Sequence, residues 1–435
     1  MEYKENKKFC LLPFITLNTR PTGQVKPCSQ VRNMTGIRHN TTADTKDYDR
    51  PPLIDDFLNL TRDSLEDIWN SEFMQDFRMK KINGEYIRFC ETCYQEDDVG
   101  IKSKRQSVID KFYNDNKHLI EEAHANNGYM NTKPVWWEMR LSSICNEACR
   151  MCIPQTSSKM RQEFEKFADE LPPRIKEDTE AAVLQFNQSG YLGNSEFFLE
   201  QFFKTLPDIR YLELHGGEPT NDKTLWKVIE RIVESGHNKH IHIHVHTNIH
   251  VLTLKHIELW DNFKSGWIGV SIDAYEKENE YIRYGSNWKK IEENLKLLNG
   301  LGSQWRKWVT SSIMVYNACT MHKFITWFNK YVQDNEMHDL QWMGSKVLNP
   351  ELMRLEHIPI QIRIDAIKPL EKLVVETPCK TTKESIEELI IALTSTQKPT
   401  EDSFKELVDY TKILDLKRNQ SLGEVFPHLK DVFNV

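Results

Sequence analysis

The strongest constraint on the fold is an alternation of strand-like and helix-like segments that runs from residue 133 to residue 348. Strands are predicted over six segments, 134–142, 209–215, 240–247, 266–273, 308–316 and 340–348. Helices are predicted between most of them, over 221–235, 253–261, 288–299 and 321–333. Repeated β–α units imply a parallel sheet with right-handed crossovers, and six units suit an open or partial barrel. The first connection, 155–205, is unusually long. We expect two or three helices there, forming a lid, a substrate-binding insertion or an extra helical layer.

Three cysteines follow the first predicted strand: Cys145, Cys149 and Cys152, with the spacing C-x3-C-x2-C. The C-terminal end of a strand that opens a β–α unit is where α/β barrels keep their chemistry. Fe–S clusters are usually held by four cysteine thiolates, so three from one loop leave one iron open. The spacing alone also fits three buried cysteines, or a zinc site whose fourth ligand comes from elsewhere.

Four further cysteines form two pairs in the first part of the chain. Cys10 and Cys28 flank a predicted strand pair, 14–18 and 24–26, which is joined by a turn at residues 21–23. Cys90 and Cys93 form a C-x2-C pair. Four thiolates in two pairs suit zinc as readily as an Fe–S cluster, and by themselves they favour zinc.

The segment between these two pairs has a loop and a helix. Residues 29–60 are polar and are interpreted as a long loop. Ser64 is then expected to cap a helix whose Leu65, Ile68 and Trp69 share one face.

The predicted strand 240–247 has an unusual polar face, because His240, His242, His244 and His246 alternate with Ile and Val. Neighbouring side chains on one face of a strand are about 6.6 Å apart. Adjacent rings would not easily chelate one metal at that spacing, since Zn–N bonds are about 2.0 Å. These histidines could line a polar cavity, relay protons or fill the barrel as hydrogen-bonded core residues.

Properties of the whole chain exclude several classes of protein. The net charge of −7 over 435 residues does not favour general nucleic-acid or membrane-surface binding. The N-terminus has no apolar signal segment, and no run of apolar residues is long enough to span a membrane. The nine cysteines therefore favour metal binding in a reducing cytoplasm over disulfides. Cys319 and Cys379 are interpreted as ordinary thiols.

Ordered motifs between residues 133 and 348 resemble the radical S-adenosylmethionine (SAM) superfamily. The cysteine triplet is followed, strand by strand, by Gly216-Gly217-Glu218-Pro219, by His246-Thr247-Asn248, by the segments 270–274 and 281–288, and by a strand ending at Asn317. The resemblance implies a [4Fe-4S] cluster on Cys145, Cys149 and Cys152. It also implies reductive cleavage of SAM to a 5′-deoxyadenosyl radical that abstracts hydrogen from a substrate.

The same resemblance implies a set of residues around the SAM molecule. They are Met151, Gly216, Gly217, Glu218, Pro219, Asn248, Ser271, Arg283 and Asn317. Glu218 is expected to stabilise the methionyl ammonium, and Arg283 to pair with the carboxylate. The chain departs from the family pattern at Ile249, where a Gly is common after the Asn.

The first cysteine pairs also have a counterpart. An ordered set of residues resembles the SPASM or "twitch" auxiliary-cluster module: Cys10, Gly23 and Cys28, then Ser64–Trp69, then Cys90 and Cys93. That module usually follows the barrel, and here it precedes it. The resemblance implies one auxiliary [4Fe-4S] cluster on Cys10, Cys28, Cys90 and Cys93, with zinc as the lesser alternative.

We therefore predict an α/β protein with three parts. A small α+β Fe–S auxiliary domain is expected over 1–110, a partial (β/α)6 radical SAM barrel over 133–348, and a helical C-terminal extension over 349–435. The expected activity is oxidative modification of a peptide or protein side chain, with a one-electron reductant such as flavodoxin or ferredoxin. The alternatives are the same chemistry on a polar small molecule, or a non-catalytic metal-binding scaffold.

Overall fold

The computed structural model describes residues 3–31, 34, 36–43, 56–98, 102–348 and 350–434. The chain divides into two compact units. The first unit comprises Met1–Ser143, Gln185–Gly216 and Thr224–Ile243, and the second comprises Ile144–Leu184, Gly217–Lys223 and His244–Val435. Residues 44–55 of the predicted polar loop lie outside the described residues. The three predicted domain ranges stay predictions.

The strands include all six that the sequence predicts, each shifted by a few residues. They are β1 Thr16–Thr19, β2 Val25–Lys26, β3 Trp136–Arg140, β4 Ala148–Cys149, β5 Tyr211–His215, β6 His242–Thr247, β7 Ser265–Ser271, β8 Arg283–Tyr284, β9 Trp305–Ile313 and β10 Leu340–Lys346. In the first unit the order is β2-β1-β3-β5, with β1 antiparallel to β2 and parallel to β3, and β3 parallel to β5.

Strands also lie side by side in the second unit. β6 is followed in the sheet by β7, β9 and β10, with β9 parallel to both of its neighbours. β4 and β8 form a separate two-stranded antiparallel sheet. The predicted α/β class with a mostly parallel sheet is confirmed.

Helices connect the strands and make up the C-terminal region. They are α1 Leu12–Ile15, α2 Leu65–Trp69, α3 Glu72–Asn83, α4 Glu91–Asp98, α5 Lys104–Ala125, α6 Ser158–Phe164, α7 Pro173–Ser189, α8 Glu196–Lys204, α9 Lys223–Glu234, α10 Leu254–Trp260, α11 Lys277–Ile282, α12 Trp288–Leu295, α13 Met321–Asp334, α14 Ile360–Asp365, α15 Ile367–Glu376, α16 Lys380–Leu393, α17 Glu401–Arg418, α18 Leu422–Val425 and α19 Lys430–Phe433. Short 3-10 helices lie between several of them, including Arg88–Cys90, Pro219–Asn221 and His237–His240. The long first connection contains α6, α7 and α8, as predicted.

The N-terminal hairpin is confirmed, with one correction. Gly23 has a φ of +93°, and the Arg20 N–H donates to Gln24 O at 2.8 Å, which closes the turn. The predicted strand 14–18 starts later, at Thr16, because Phe14 belongs to α1. Pro13 stands in the first turn of α1, where its fixed φ suits a helix and its missing N–H costs nothing.

The predicted cap of α2 is also confirmed. The Ser64 side chain accepts a hydrogen bond from the Asp67 N–H, and Leu65, Ile68 and Trp69 are buried. The helix ends at Trp69, and the Ser71 side chain caps α3 by accepting from the Met74 N–H.

The histidine-rich strand is shorter than predicted. His240 belongs to the 3-10 helix His237–His240 and not to β6, and its Nε2 lies 3.1 Å from Leu206 O. The remaining histidines, His242, His244 and His246, alternate with buried residues along β6. The polar face therefore carries three imidazoles instead of four.

Among the described residues, no helix is long and apolar enough to cross a membrane. The C-terminal region is helical as predicted, and Ile386, Leu389 and Leu393 of α16 are buried core residues.

Candidate cluster and cofactor sites

The three-cysteine loop is held in place by the small sheet of the second unit. Cys149 lies in β4, directly opposite Arg283 of β8. The Cys152 N–H donates to Cys149 O at 3.0 Å, so the two cysteines share a tight turn. The Cys145 N–H donates to the Ser158 hydroxyl at 3.2 Å, which ties the start of the loop to α6.

The thiols of this loop are placed to interact with one another. The neighbouring Cys152 thiol, together with burial, raises the pKa of Cys149 well above its usual range. Burial and the neighbouring Cys149 raise the pKa of Cys145 to about 12. Metal ligation requires thiolates, so a bound cation must displace these protons. The donor set fits an Fe–S cluster with three protein ligands.

A buried carboxylate lies inside the loop, between the first two cysteines. Glu147 is only 1% exposed. Its Oε2 lies 3.5 Å from Cys149 Sγ and 3.9 Å from Arg283 Nη1, and its Oε1 lies 3.9 Å from His250 Nδ1. Burial raises the pKa of Glu147 well above its usual value. Sequence reasoning missed Glu147, although its place between two ligand cysteines was the available signal.

Arg283 lies beside the loop and contacts several protein groups. Its Nη1 donates to Cys149 Sγ at 3.9 Å, and its Nε lies 2.8 Å from Asp273 Oδ2. Asp273 Oδ1 accepts from the Ser312 N–H at 2.7 Å. The neighbouring Asp273, Cys149 and Glu147 side chains raise the pKa of Arg283 by more than burial lowers it. This guanidinium is therefore a permanent cation.

Glu218 organises the ends of two β–α connections within the second unit. Its Oε1 accepts from the Thr220 N–H at 3.0 Å, from the Thr220 hydroxyl at 2.7 Å and from the Thr247 hydroxyl at 2.6 Å. Its Oε2 accepts from the Asn248 N–H at 2.6 Å. Among the described residues Oε1 accepts three hydrogen bonds and Oε2 one, so Oε2 is the oxygen with more capacity for a further donor.

The Asn248 side chain reaches the cysteine loop. Its Nδ2 donates to Asn146 Oδ1 at 2.9 Å. The next residue, Ile249, has a φ of +60°, although it is fully buried. A β-branched residue in the left-handed region is strained, and glycine adopts that conformation freely. Ile249 therefore adopts the backbone conformation that suits the glycine common at this position of the family pattern.

The other predicted residues have smaller or purely structural contacts. Asn317 is buried, and its amide donates to Asp273 O at 2.7 Å and to Ser312 O at 2.9 Å. Pro219 begins the 3-10 helix that Glu218 caps. Ser271 is the last residue of β7, Met151 lies in the turn between Cys149 and Cys152, and Gly216 and Gly217 follow β5. A Cβ atom on Gly216 would lie 3.1 Å from Ser142 O.

The C-terminal region supports the cysteine loop, which the sequence did not reveal. Arg150, next to Cys149, is buried, and its Nη2 lies 2.6 Å from Asp415 Oδ1 of α17. The guanidinium lies 3.7 Å from the centroid of the Tyr281 ring, whose hydroxyl donates to the same Asp415 oxygen at 2.8 Å. The Tyr410 hydroxyl donates to Arg150 O at 2.9 Å.

The second cysteine set lies within the first unit. Cys10, Cys28, Cys90 and Cys93 line one cavity together with hydrophobic residues of α1, α3 and the 3-10 helix Arg88–Cys90. The Gln30 N–H donates to Cys28 Sγ at 3.4 Å. Backbone N–H groups of Leu12 and Arg105 also donate to Cys10 and Cys93 and lower the pKa of these thiols, whereas burial raises it more strongly.

Lys81 forms part of the wall of this cavity. It is fully buried, and its Nζ contacts the Tyr94 hydroxyl at 2.6 Å and Lys8 O at 3.5 Å. Across the chain segments that the structure describes, it forms no ion pair with a carboxylate. Although burial lowers the pKa of Lys81, the Cys90, Tyr94 and Cys10 side chains raise it overall. A buried ammonium without a counter-ion is costly, so the cavity suits an anionic occupant such as a thiolate cluster.

The histidines of β6 pack against aromatic residues. In the second unit the rings of His244 and His246 are 4.3 Å apart between centroids, and His244 meets Trp267 edge-on at 5.5 Å. In the first unit His242 stacks on Tyr211 at 5.2 Å. His246 also lies under Gly269, where an added Cβ would be 3.0 Å from its Nδ1.

Two family models match the chain, and each match contains one of the two cysteine sets. Residues 139–327 match the model of the radical SAM superfamily. Residues 10–94 match the model of the SPASM iron–sulfur cluster-binding domain. The chain thus has a radical SAM domain preceded by an Fe–S cluster-binding domain. The predicted resemblance to the radical SAM superfamily, with an N-terminal SPASM module, is confirmed, and so are the predicted cofactor classes, SAM and [4Fe-4S] clusters.

Solved structures of radical enzymes resemble the chain only distantly. Native anSMEcpe with bound AdoMet and the Kp18Cys peptide is 15% identical, with a TM-score of 0.35 over 54% of this chain and 58% of that one. SuiB from Streptococcus suis is 13% identical, with a TM-score of 0.35 over 70% of this chain and 63% of that one. The match therefore spans less than two thirds of either structure. No curated protein matches the sequence.

Proposed function

We propose that this protein cleaves SAM at a [4Fe-4S] cluster held by Cys145, Cys149 and Cys152. The observation that carries the proposal is the three-cysteine loop, whose thiols interact with one another while a buried arginine, Arg283, contacts the central one. When bound, the cluster supplies the electron that converts SAM into methionine and a 5′-deoxyadenosyl radical. The reductant is a one-electron donor such as flavodoxin or ferredoxin.

The chain's own residues orient the cofactor and screen charge around it. Arg283 offsets the negative charge of the thiolates and is the candidate partner for the SAM carboxylate. Glu218 has one under-used oxygen, Oε2, which suits the methionyl ammonium. Asn317 and Asp273 act as positioning residues, because both hold the backbone at Ser312.

The remaining predicted residues complete this cofactor site. Gly216 and Gly217 would let the backbone approach SAM closely, and Pro219 keeps Glu218 in place through the 3-10 helix. Asn248 links that helix cap to the cluster loop through Asn146. Met151 and Ser271 are proposed to contact SAM from the cluster loop and from the end of β7.

We assign the auxiliary [4Fe-4S] cluster to Cys10, Cys28, Cys90 and Cys93. Four thiols line one cavity, backbone N–H groups donate to three of them, and Lys81 supplies a buried positive charge. Hydrogen bonds to the sulfurs and nearby charge are the means by which proteins set the reduction potential of such clusters. With all irons ligated by protein, this cluster serves electron transfer rather than substrate binding.

The substrate is proposed to be a peptide or protein side chain that is oxidised after hydrogen abstraction. In this scheme the substrate radical would lose a proton and one further electron to give a two-electron-oxidised product, and a cluster held by Cys10, Cys28, Cys90 and Cys93 would be the acceptor of that electron. A polar small molecule is the second candidate. The observation that favours it is the row of partly exposed imidazoles on β6, His242, His244 and His246.

The test is anaerobic reconstitution with iron and sulfide, followed by a 5′-deoxyadenosine assay with SAM and dithionite. The native chain should hold about eight irons, and the Cys145/Cys149/Cys152→Ala variant about four, since each cluster has four. Cleavage of SAM should occur only in the native chain. An iron-replete native protein that makes no 5′-deoxyadenosine would contradict the proposal and favour the scaffold.

A further inference from the structure

One face of the sheet in the first unit carries polar side chains from adjacent strands. Asn18 of β1 is opposite Lys26 of β2 and also opposite Glu138 of β3. Side chains two residues apart along a strand share a face. Arg140 therefore lies on the same face as Glu138, and Arg20, immediately after β1, continues the row of Asn18 beside it.

The carboxylates of this face already have partners. Glu138 is buried and accepts from Asn18 Nδ2, Lys104 Nζ and, at 3.3 Å, the Ser29 hydroxyl. On the neighbouring strand β5, Glu213 Oε1 lies 2.8 Å from His215 Nε2. Lys104 and His215 thus make close contacts to these two acidic groups.

Three cations on this face are not neutralised. Within the described parts of the chain, Arg20, Lys26 and Arg140 form no ion pair with a carboxylate. Lys26 is only 9% exposed, and Arg140 Nη1 is buried without a hydrogen-bond acceptor. A buried guanidinium N–H that makes no hydrogen bond loses its hydration without compensation.

The cations are close enough to repel one another. Burial and the charge of Arg140 lower the pKa of Arg20 to about 10. Burial lowers the pKa of Arg140 as well, although Glu138 and Glu213 raise it in part. Like charges held together out of water destabilise a fold, so the arrangement calls for a negative partner.

We propose that Arg20, Lys26 and Arg140 bind an oxyanion, the carboxylate or phosphate group of a ligand. Two guanidinium groups suit a group with at least two oxygens, because each can donate a pair of parallel hydrogen bonds. All three residues belong to the first unit. The inference is therefore independent of the SAM-cleaving activity proposed for the three-cysteine loop.

The experiment measures anion binding to the reconstituted protein by isothermal titration calorimetry. The probes are inorganic phosphate and acetate, each titrated at constant ionic strength with chloride as the background anion. Saturable binding of phosphate would indicate a phosphate-bearing ligand, and saturable binding of acetate a carboxylate-bearing one. Binding should weaken at least tenfold in Arg20→Gln and in Arg140→Gln.

Lys227→Gln is the matched control, because Lys227 is exposed on α9 of the same unit. It removes one positive charge and should leave the affinity unchanged. The conservative Arg140→Lys keeps the charge and loses the paired donors, so its affinity should lie between those of the native chain and Arg140→Gln.

A second readout separates a ligand site from a structural one. Without anion, Arg140→Gln should melt at the same or a higher temperature than the native chain, because a repelling charge is removed. A lower melting temperature combined with unchanged anion binding would overturn the inference, as would the absence of saturable binding of both probes. SAM cleavage that survives such a result would leave the proposed function intact, and anion binding without SAM cleavage would overturn only the proposed function.

Discussion

The two cysteine sets form candidate metal sites in different ways. In the first unit, four thiols from three separate segments line one cavity beside a buried lysine. In the second unit, three thiols come from one loop of eight residues, and the groups around them are of both charges: Glu147, Arg283 and Asp273. The first site offers a complete set of protein ligands, and the second leaves a position for another ligand.

This difference assigns the roles. A cluster with four protein thiolates has no free iron, so it can store or pass electrons but cannot hold SAM. A cluster with three ligands can bind the amino and carboxylate groups of SAM, and the second site has a candidate partner for each, Glu218 and Arg283. The comparison therefore predicts that damage to the two sites has separable consequences.

The largest effect is expected when two cysteines of the four-cysteine site are replaced and the amount of oxidised product is measured. Cys90→Ala/Cys93→Ala should lose about four irons, since one cluster has four, and should keep SAM cleavage. Substrate oxidation should fall to background because the remaining electron has no acceptor. Loss of SAM cleavage in this variant would break the separation of roles. Cys319→Ala, a buried cysteine outside both sets, is the matched control and should keep both activities.

A large effect on stability is expected at the support of the three-cysteine loop. Asp415→Asn leaves the buried Arg150 without its counter-ion and should destabilise the fold by about 3 kcal/mol, in the range for breaking a buried ion pair. Iron should be lost preferentially from the second unit. Chemical denaturation and iron counting would measure this.

The control for that variant is Asp334→Asn, which removes an exposed ion pair with Lys330 on α13. It should change stability by less than about 1 kcal/mol, because exposed pairs contribute little. Equal losses in the two variants would contradict the support role of Asp415.

A smaller effect is expected from Lys81→Met. Removing the buried cation favours the oxidised, less negative form of the auxiliary cluster, so its midpoint potential should fall. A tenfold change in the ratio of reduced to oxidised cluster corresponds to about 59 mV for a one-electron couple, and we expect a shift of that size. Potentiometric titration followed by electron paramagnetic resonance would measure it. The matched control is Lys80→Met, whose lysine pairs with Asp76 instead, and an equal shift in the two variants would contradict the role of Lys81.

Much of the fold could be predicted because it depends on local patterns. The six predicted strands and the helices between them follow from alternating periodicity, and the cap at Ser64 and the turn at Gly23 follow from local hydrogen bonding. The cysteine sets were also readable, since their spacing is a sequence property. His240 was misplaced in a strand because alternation continued through a 3-10 helix.

The surroundings of the sites could not be predicted, because they depend on contacts between distant residues. Arg150 and Asp415 are 265 residues apart in the chain. Arg20 and Arg140 share a face only because β1 pairs with β3, a pairing that no local pattern indicates. Lys81 is an ordinary helix residue in the sequence, and its burial against the cysteines becomes evident only from the packing of α3.

The most direct test of the account is the electron paramagnetic resonance spectrum of the reduced, reconstituted protein with and without SAM. The account predicts two [4Fe-4S] signals, of which SAM changes one. The changed signal should persist in Cys90→Ala/Cys93→Ala and be absent from Cys145/Cys149/Cys152→Ala. A SAM-dependent change of the spectrum that is still seen in Cys145/Cys149/Cys152→Ala would contradict the account, because SAM would then bind at the four-cysteine site.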